Sequence, residues 1–284
     1  MRLGEFELFV VSDGTFALDG GGMFGTIPKV LWEKTHPADE RNRIRLGLNC
    51  LLIRTATETI VVDTGLGSFY DEKFAYLYKV DNSTSDLLGS LAKVGVAADE
   101  VTKVILTHLH FDHCGGSCTR DQEGSSKPTF PLATYHVDQE ELAYAREPDR
   151  RSRASYLRDL WEPLEAHGQL ALTSGEVEVS PGVSLLATPG HTQNHRSVLI
   201  RSGDETACFL ADLVPTPSHL KPHYVMAYDV LPVVAMETKE RLLRQAREEG
   251  WLLFFEHSPG VCAGYLDDEG GLDPVEMGAG GGNS

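Results

Sequence analysis

Apolar residues come in short runs that stop at polar, turn-forming residues, and this pattern predicts alternating strands and helices. Cys50-Leu51-Leu52-Ile53 and Thr59-Ile60-Val61-Val62 are β-prone runs separated by the polar stretch 54–58, which predicts a hairpin ending at Asp63-Thr64-Gly65. Over 84–94, Leu87, Leu88, Leu91 and Val94 recur at helical spacing, with Gly95 as a stop. Residues 101–106 read as a short strand. Val183-Ser184-Leu185-Leu186-Ala187 reads as another, running into Thr188-Pro189-Gly190-His191-Thr192. A second hairpin is predicted from 197–200 and 207–210 around Ser202-Gly203-Asp204, and it ends at Ala211-Asp212. Residues 251–255 form a last strand that ends at Glu256-His257-Ser258-Pro259.

Helices are predicted between these strands. Residues 152–167 place Tyr156, Leu157, Leu160, Trp161 and Leu164 at helical spacing, and 237–249 form a charged, Leu-bearing helix before Gly250. The segment 13–48 is less regular, with Gly20-Gly21-Gly22 and the isolated aromatics Phe24 and Trp32. It reads as a loop over a site mouth, a contact in a homodimer, or a plain surface loop. No repeat or linker interrupts residues 1–277, so one α/β domain is expected, followed by a Gly-rich, flexible tail at 278–284.

Four of the β-runs stop at side chains able to bind metal, which is where the pattern turns into chemistry. The richest is Thr107-His108-Leu109-His110-Phe111-Asp112-His113-Cys114-Gly115-Gly116, with three of the chain's 11 histidines and an aspartate within six positions. Imidazole nitrogen and carboxylate oxygen are the donors that zinc and similar ions accept. A tight loop can aim His108 and His110 one way and Asp112 and His113 another, so one segment can serve two adjacent ions. The later strand ends add His191, Asp212 and His257. Two divalent ions sharing a carboxylate would hold a bridging water and acidify it to hydroxide. The hydroxide would attack a carbonyl or phosphoryl carbon or phosphorus, and Asp112 is expected to pass a proton to the leaving group. No G-x-S-x-G elbow is present, and none is needed.

Composition narrows the field. The net charge of −17 repels phosphodiester backbones, so nucleic acid is not an expected partner. No stretch is apolar for long enough to cross a bilayer, and the N-terminus lacks the pattern of a signal peptide, so a cytoplasmic protein is expected. Five scattered cysteines (50, 114, 118, 208 and 262) fit reduced thiols, and Cys114 and Cys118 lack the further partners of a thiolate metal site.

These ligands, with Asp63-Thr64-Gly65, His191 within TPGHT and Asp212 within LADL, resemble the metallo-β-lactamase-fold superfamily of metal hydrolases over residues 45–260. The resemblance implies a four-layer αβ/βα sandwich with two mixed sheets. It implies His108, His110 and His191 around one ion, Asp112, His113 and His257 around the other, and Asp212 bridging both. It further implies that Asp63 orients a liganding histidine. Because seven ligands complete such a site, His195 is expected to support it rather than bind metal. The ions are expected to be zinc, with manganese, iron or cobalt also suited to the donors. Phe24, Trp32, His219, His223 and Tyr228 are candidates for the substrate pocket, and His219, His223 and Tyr228 are equally readable as ordinary loop and packing residues.

Within the superfamily, aspartate at 112 and at 212 favours the dinuclear esterase-like branches over the zinc β-lactamases, and the LADLVPT segment with the helix before His257 looks most like the acyl-homoserine-lactone lactonase and methyl-parathion-hydrolase branch. One departure is that those lactonases place a tyrosine shortly after the bridging aspartate, where this chain has Leu213-Val214-Pro215-Thr216. The expected reaction is cleavage of lactone, ester or phosphotriester bonds in a small molecule. A glyoxalase II thioesterase is the alternative; a flavodiiron oxidoreductase, a nuclease and a binding module that has lost catalysis rank lower.

Overall fold

A computed structural model describes residues 1–277 except 121, 122 and 124, so the tail predicted at 278–284 lies outside the described residues. Two seven-stranded mixed sheets form the centre. The first runs, in spatial order, Arg2–Leu3, Phe6–Asp19, Arg43–Arg54, Thr59–Val62, Lys103–Ile105, Thr134–Asp138 and Leu170–Thr173. The second runs Val177–Ser180, Val183–Ala187, Arg196–Ser202, Glu205–Phe209, Leu252–Phe254, Ala263–Leu266 and Leu272–Pro274.

Alternating side chains of both sheets meet in one apolar layer, Leu51, Ile53, Ile60 and Val62 from the first against Val198, Ile200, Phe209 and Phe254 from the second. The opposite faces are covered by helices. Leu52, Val61 and Val104 pack with Leu87, Leu91 and Leu164 on one side, and Cys208 and Leu253 pack with Leu242, Leu243 and Ala246 on the other. This is the four-layer αβ/βα sandwich.

The pairing directions explain why the polar strand ends converge. Thr59–Val62 and Lys103–Ile105 run parallel, so both deliver their following residues to the same edge. In the second sheet Glu205–Phe209 is parallel to Leu252–Phe254. Val183–Ala187 and Glu205–Phe209 are both antiparallel to the strand between them, so they too end together.

Four predicted elements differ from those observed. The irregular segment 13–48 contains the ends of two long antiparallel strands, Phe6–Asp19 and Arg43–Arg54, paired from Glu7↔Arg54 to Asp19↔Arg43. A bulge between Ser12 and Thr15, with Gly14 at φ 96°, breaks the alternation that would have revealed the first. The helix predicted over 152–167 is only a 3₁₀ turn, Arg158–Leu160, and a short helix, Glu162–Ala166. Pro163 has no amide hydrogen and restricts Glu162, so it starts a helix rather than continuing one. Tyr156, Leu160, Trp161 and Leu164 are nevertheless buried. In the helix Leu87–Lys93, Leu88 is 42% exposed and leaves the predicted apolar face to Leu87 and Leu91. The last helix begins earlier than predicted, Pro232–Glu249, because Pro232 is suited to a first turn, and it closes on Gly250 at φ 66°.

Candidate metal centre

The histidine loop leaves the strand Lys103–Ile105 and folds back over the turn that follows Thr59–Val62. Asp63 makes that turn in a left-handed conformation, φ 54°, which aspartate tolerates better than most residues. Its carboxylate accepts from the Thr107 amide at 2.8 Å and the Thr107 hydroxyl at 2.6 Å. Gly115 and Gly116 let the two backbones touch, since a Cβ at either would lie 2.2 Å from the carbonyl oxygen of Leu66 or Thr64. His113 and Asp112 thereby come onto the short helix Phe111–Cys114, facing the second sheet.

The seven side chains singled out in the sequence come together in two buried groups, His108, His110, His191 and Asp212 in one and Asp112, His113 and His257 in the other. Within each group the donor atoms lie within 4.8 Å of one another. Asp212 sits between the groups. Its Oδ2 is 3.0 Å from His191 Nε2, 3.4 Å from His113 Nε2 and 4.0 Å from His108 Nε2, while its Oδ1 is 3.1 Å from His257 Nε2. Asp112 Oδ2 lies 3.7 Å from His257 Nε2.

Electrostatics follow from this crowding. Burial alone would raise Asp212, but the imidazoles of His191, His257 and His113 outweigh it and hold the carboxyl well below the usual range. Burial pulls His191 and His257 down, yet the surrounding carboxylates, Asp212 with Asp229 at His191 and Asp212 with Glu256 at His257, together outweigh it and lift them to about 10 and about 9. His108 and His110 go the other way, held well below the ordinary value by burial and by neighbouring imidazoles.

The donor set fits divalent cations. Among the described residues, buried His108 Nε2 has no hydrogen-bond partner, and Asp212 Oδ1 makes no directed hydrogen bond despite its approach to His257. His110 Nδ1 and His191 Nε2 face each other at 3.0 Å, and His113 Nε2 and His257 Nε2 at 3.3 Å. Nitrogen lone pairs gathered about a carboxylate in a water-excluded place are compensated by a metal ion better than by one another.

The surrounding groups hold the rings. His113 Nδ1 lies 3.0 Å from Asp63 Oδ2 and 2.9 Å from Glu256 Oε2. His257 Nδ1 is 2.9 Å from the Gly47 carbonyl, and His191 Nδ1 is 3.0 Å from Asp229 Oδ1. His195 lies outside both groups; its Nε2 accepts from the Asp212 amide at 3.2 Å and its Nδ1 meets the Thr188 hydroxyl at 2.9 Å. Buried Glu141 ties two loops, accepting from the Leu109 amide, the Tyr156 hydroxyl and the Thr192 hydroxyl. Asp229, Glu256 and Glu141 were not singled out from sequence. Glu256 adjoins His257, which is a usable signal; Asp229 and Glu141 carry none, being brought to the histidines only by the fold.

A cleft of about 190 Å³ opens on Asp212, His110, His191, Asp112 and His257, walled by Leu18, Met23, Tyr78, Phe111, Met226 and Tyr228, with Arg151 beside them. Of the sequence candidates for a substrate pocket, only Tyr228 lines it. Phe24 is buried between Trp32 and His219, stacked on them at 5.4 and 4.7 Å, so these three form core behind the wall. His219 Nε2 is fixed by the Met23 carbonyl, which explains its burial without any ligand. His223 is exposed against Tyr224.

Known proteins with related chains agree with this architecture. The family model of the metallo-beta-lactamase superfamily matches residues 44–257. An N-acyl homoserine lactonase of Bacillus thuringiensis is 27% identical over 225 residues, covering 75% of this chain and 82% of that one. Among solved structures, a probable metal-dependent hydrolase from Staphylococcus aureus superposes with a TM-score of 0.89 at 30% identity, covering 96% of this chain and 97% of that one. AidC, a dizinc quorum-quenching lactonase, superposes with a TM-score of 0.80 at 25% identity, covering 97% and 96%. The chain therefore belongs to the metallo-beta-lactamase superfamily of metal-dependent hydrolases.

Proposed function

We propose that the protein hydrolyses a lactone or another ester bond of a small molecule, phosphotriesters included, with two divalent ions held by His108, His110, His191, Asp112, His113, His257 and the shared Asp212. The observation that carries this reading is the position of Asp212, whose two oxygens reach His191, His113 and His257 from both groups at 3.0–3.4 Å. Two such ions, zinc being the first candidate for this nitrogen and oxygen donor set, supply Lewis acidity at the scissile group and acidify a water. The chain's part is to place everything else. Asp212 fixes the separation of the two groups, and Asp63 fixes the ring direction of His113. Asp112 reaches the cleft beside His257, where its carboxylate can take a proton from the attacking water and pass it to the leaving alkoxide. Water adds to the acyl or phosphoryl centre, the bond to the alcohol oxygen breaks, and that oxygen leaves as the alcohol.

The apolar wall of Leu18, Met23, Phe111 and Met226 suits an alkyl or acyl portion of the substrate. The lactonase activities of the Bacillus relative and of AidC support the lactone in particular. The test is metal analysis followed by an activity panel of lactones, aryl esters, phosphotriesters, thioesters and β-lactams. Two ions per chain and turnover of a lactone or ester, lost on chelation and restored by zinc, are expected. Protein that carries two ions and leaves every lactone, ester and phosphotriester intact would overturn the reading, and turnover confined to thioesters would replace it with the glyoxalase type.

A further inference from the structure

The segment 226–231 does two things at once. Met226, Ala227, Tyr228 and Val230 wall the cleft. In the same stretch, buried Asp229 meets His191 Nδ1 through Oδ1 at 3.0 Å, and its Oδ2 accepts from the Met226 amide at 2.9 Å. The Val230 and Leu231 amides donate to the carbonyls of His191 and Gly190 at 3.1 and 2.9 Å. His191 is thus held by this segment through its ring and its backbone together.

The segment is itself fixed from outside. The Arg151 guanidinium donates to the Ala227 and Asp229 carbonyls at 2.5 and 3.0 Å, and the Ala227 amide donates to the Gly22 carbonyl at 2.8 Å. A Cβ at Gly22 would lie 2.3 Å from the Tyr228 hydroxyl, so a larger residue there would displace that ring. A turn-forming aspartate needs only the Met226 contact. The second oxygen, buried and aimed at a ring nitrogen 38 residues away, needs another explanation.

We propose that Asp229 is the positioning residue of His191, and that the segment 226–231 couples the substrate wall to the direction of that ring. The inference rests on the metal-centre reading above. With Nε2 of His191 directed at Asp212 and His110, its proton sits on Nδ1 and is donated to Asp229. Loss of the acceptor frees both the tautomer and the ring torsion.

The experiment is zinc and cobalt titration of metal-stripped wild type, Asp229→Leu and Asp229→Asn against a competing chelator. Leucine keeps the volume without an acceptor, and asparagine keeps an acceptor. Asp229→Leu is expected to bind one of the two ions about 10–100-fold more weakly and to change the visible spectrum of one cobalt ion, with Asp229→Asn recovering most of both. Equal affinities and spectra in all three proteins, or equal losses in both variants, would sink the proposal. If the leucine variant does not fold, ¹⁵N spectra of zinc-loaded wild type decide: His191 as the Nδ1–H tautomer supports the role, and the Nε2–H tautomer refutes it. Wild type that binds no ion at all would instead defeat the metal-centre reading itself.

Discussion

Glu141 offers the most discriminating test of how the centre is held. It is fully buried, and its carboxylate accepts from Tyr156 Oη at 2.8 Å, Thr192 Oγ1 at 2.9 Å and the Leu109 amide at 3.3 Å. Leu109 lies between His108 and His110, and Thr192 follows His191, so one side chain ties both loops of the first ligand group. Glu141→Ala strands three buried donors, each worth about 1–3 kcal/mol when left without a partner. The Leu109 contact is long and counts least. Removing a carboxyl whose ionisation burial disfavours returns part of the loss. The net expectation is a destabilisation of about 3 kcal/mol, a large share of the roughly 5–15 kcal/mol that holds a domain folded. Glu141→Gln keeps the Oε1 acceptor for Tyr156 and Leu109, and the Thr192 hydroxyl can turn to accept from the new amide. Its cost should stay below about 1 kcal/mol. Urea denaturation at constant slope reads both, and ester turnover should fall in the alanine variant while the glutamine variant stays near wild type. An alanine variant within about 0.5 kcal/mol of wild type, or a glutamine variant as damaged as alanine, would refute the reasoning.

Asp212→Ala removes the carboxylate common to both groups; metal content should drop below two ions per chain and kcat/KM by at least about 100-fold, and full retention of either would be fatal to the shared-ligand geometry. Gly190→Ala places a Cβ 2.3 Å from Ala235 Cα at a residue with φ 144°, so a loss of about 2–4 kcal/mol is expected in the denaturation midpoint, with weaker ion binding because His191 follows directly. Asp13 gives a pH signature. Burial outweighs the Gly67, Leu87 and Leu66 amides that donate to it and raises it from 3.8 to about 6. The folded state therefore keeps this proton to higher pH than the unfolded chain. The associated stability, on the order of 3 kcal/mol, is complete below about pH 4 and is lost as pH rises through about 6. Asp13→Asn should flatten the stability curve across that window, and an unchanged slope would count against the buried carboxyl.

What the sequence discloses depends on how local the physics is. The hairpin Arg43–Arg54 with Thr59–Val62 and the strands Val183–Ala187 and Leu252–Phe254 are legible because apolar runs end in turn residues within the same few positions. The strand Phe6–Asp19 is not, since its bulge at Ser12–Thr15 shifts the inward face midway. The helix expected over 152–167 fails for the opposite reason: Tyr156 is drawn to Glu141 and Trp161 into the core, and apolar spacing alone cannot tell that from a helical face.

The same division runs through the site. Seven donors stand at strand ends or in one loop, so their chemistry and order mark them before any fold is known. Their supports have no such mark. Asp229 reaches His191 across 38 residues, and Arg151 fixes the Ala227 and Asp229 carbonyls from more than 70 positions earlier in the chain. Phe24, Trp32 and His219 show the converse error, since aromatic residues in an irregular stretch look like a pocket until their mutual stacking accounts for them. Ligand identity is thus a property of short sequence, whereas ring direction and the substrate wall are properties of tertiary contact. In this chain both of the latter converge on residues 226–231. Substitutions there should alter substrate preference and ion binding together, whereas changes to Leu18 or Tyr78, which touch the wall from elements that carry no ligand, should alter preference alone. Measuring both quantities across the two sets of variants would separate a wall coupled to the metal centre from one that merely adjoins it.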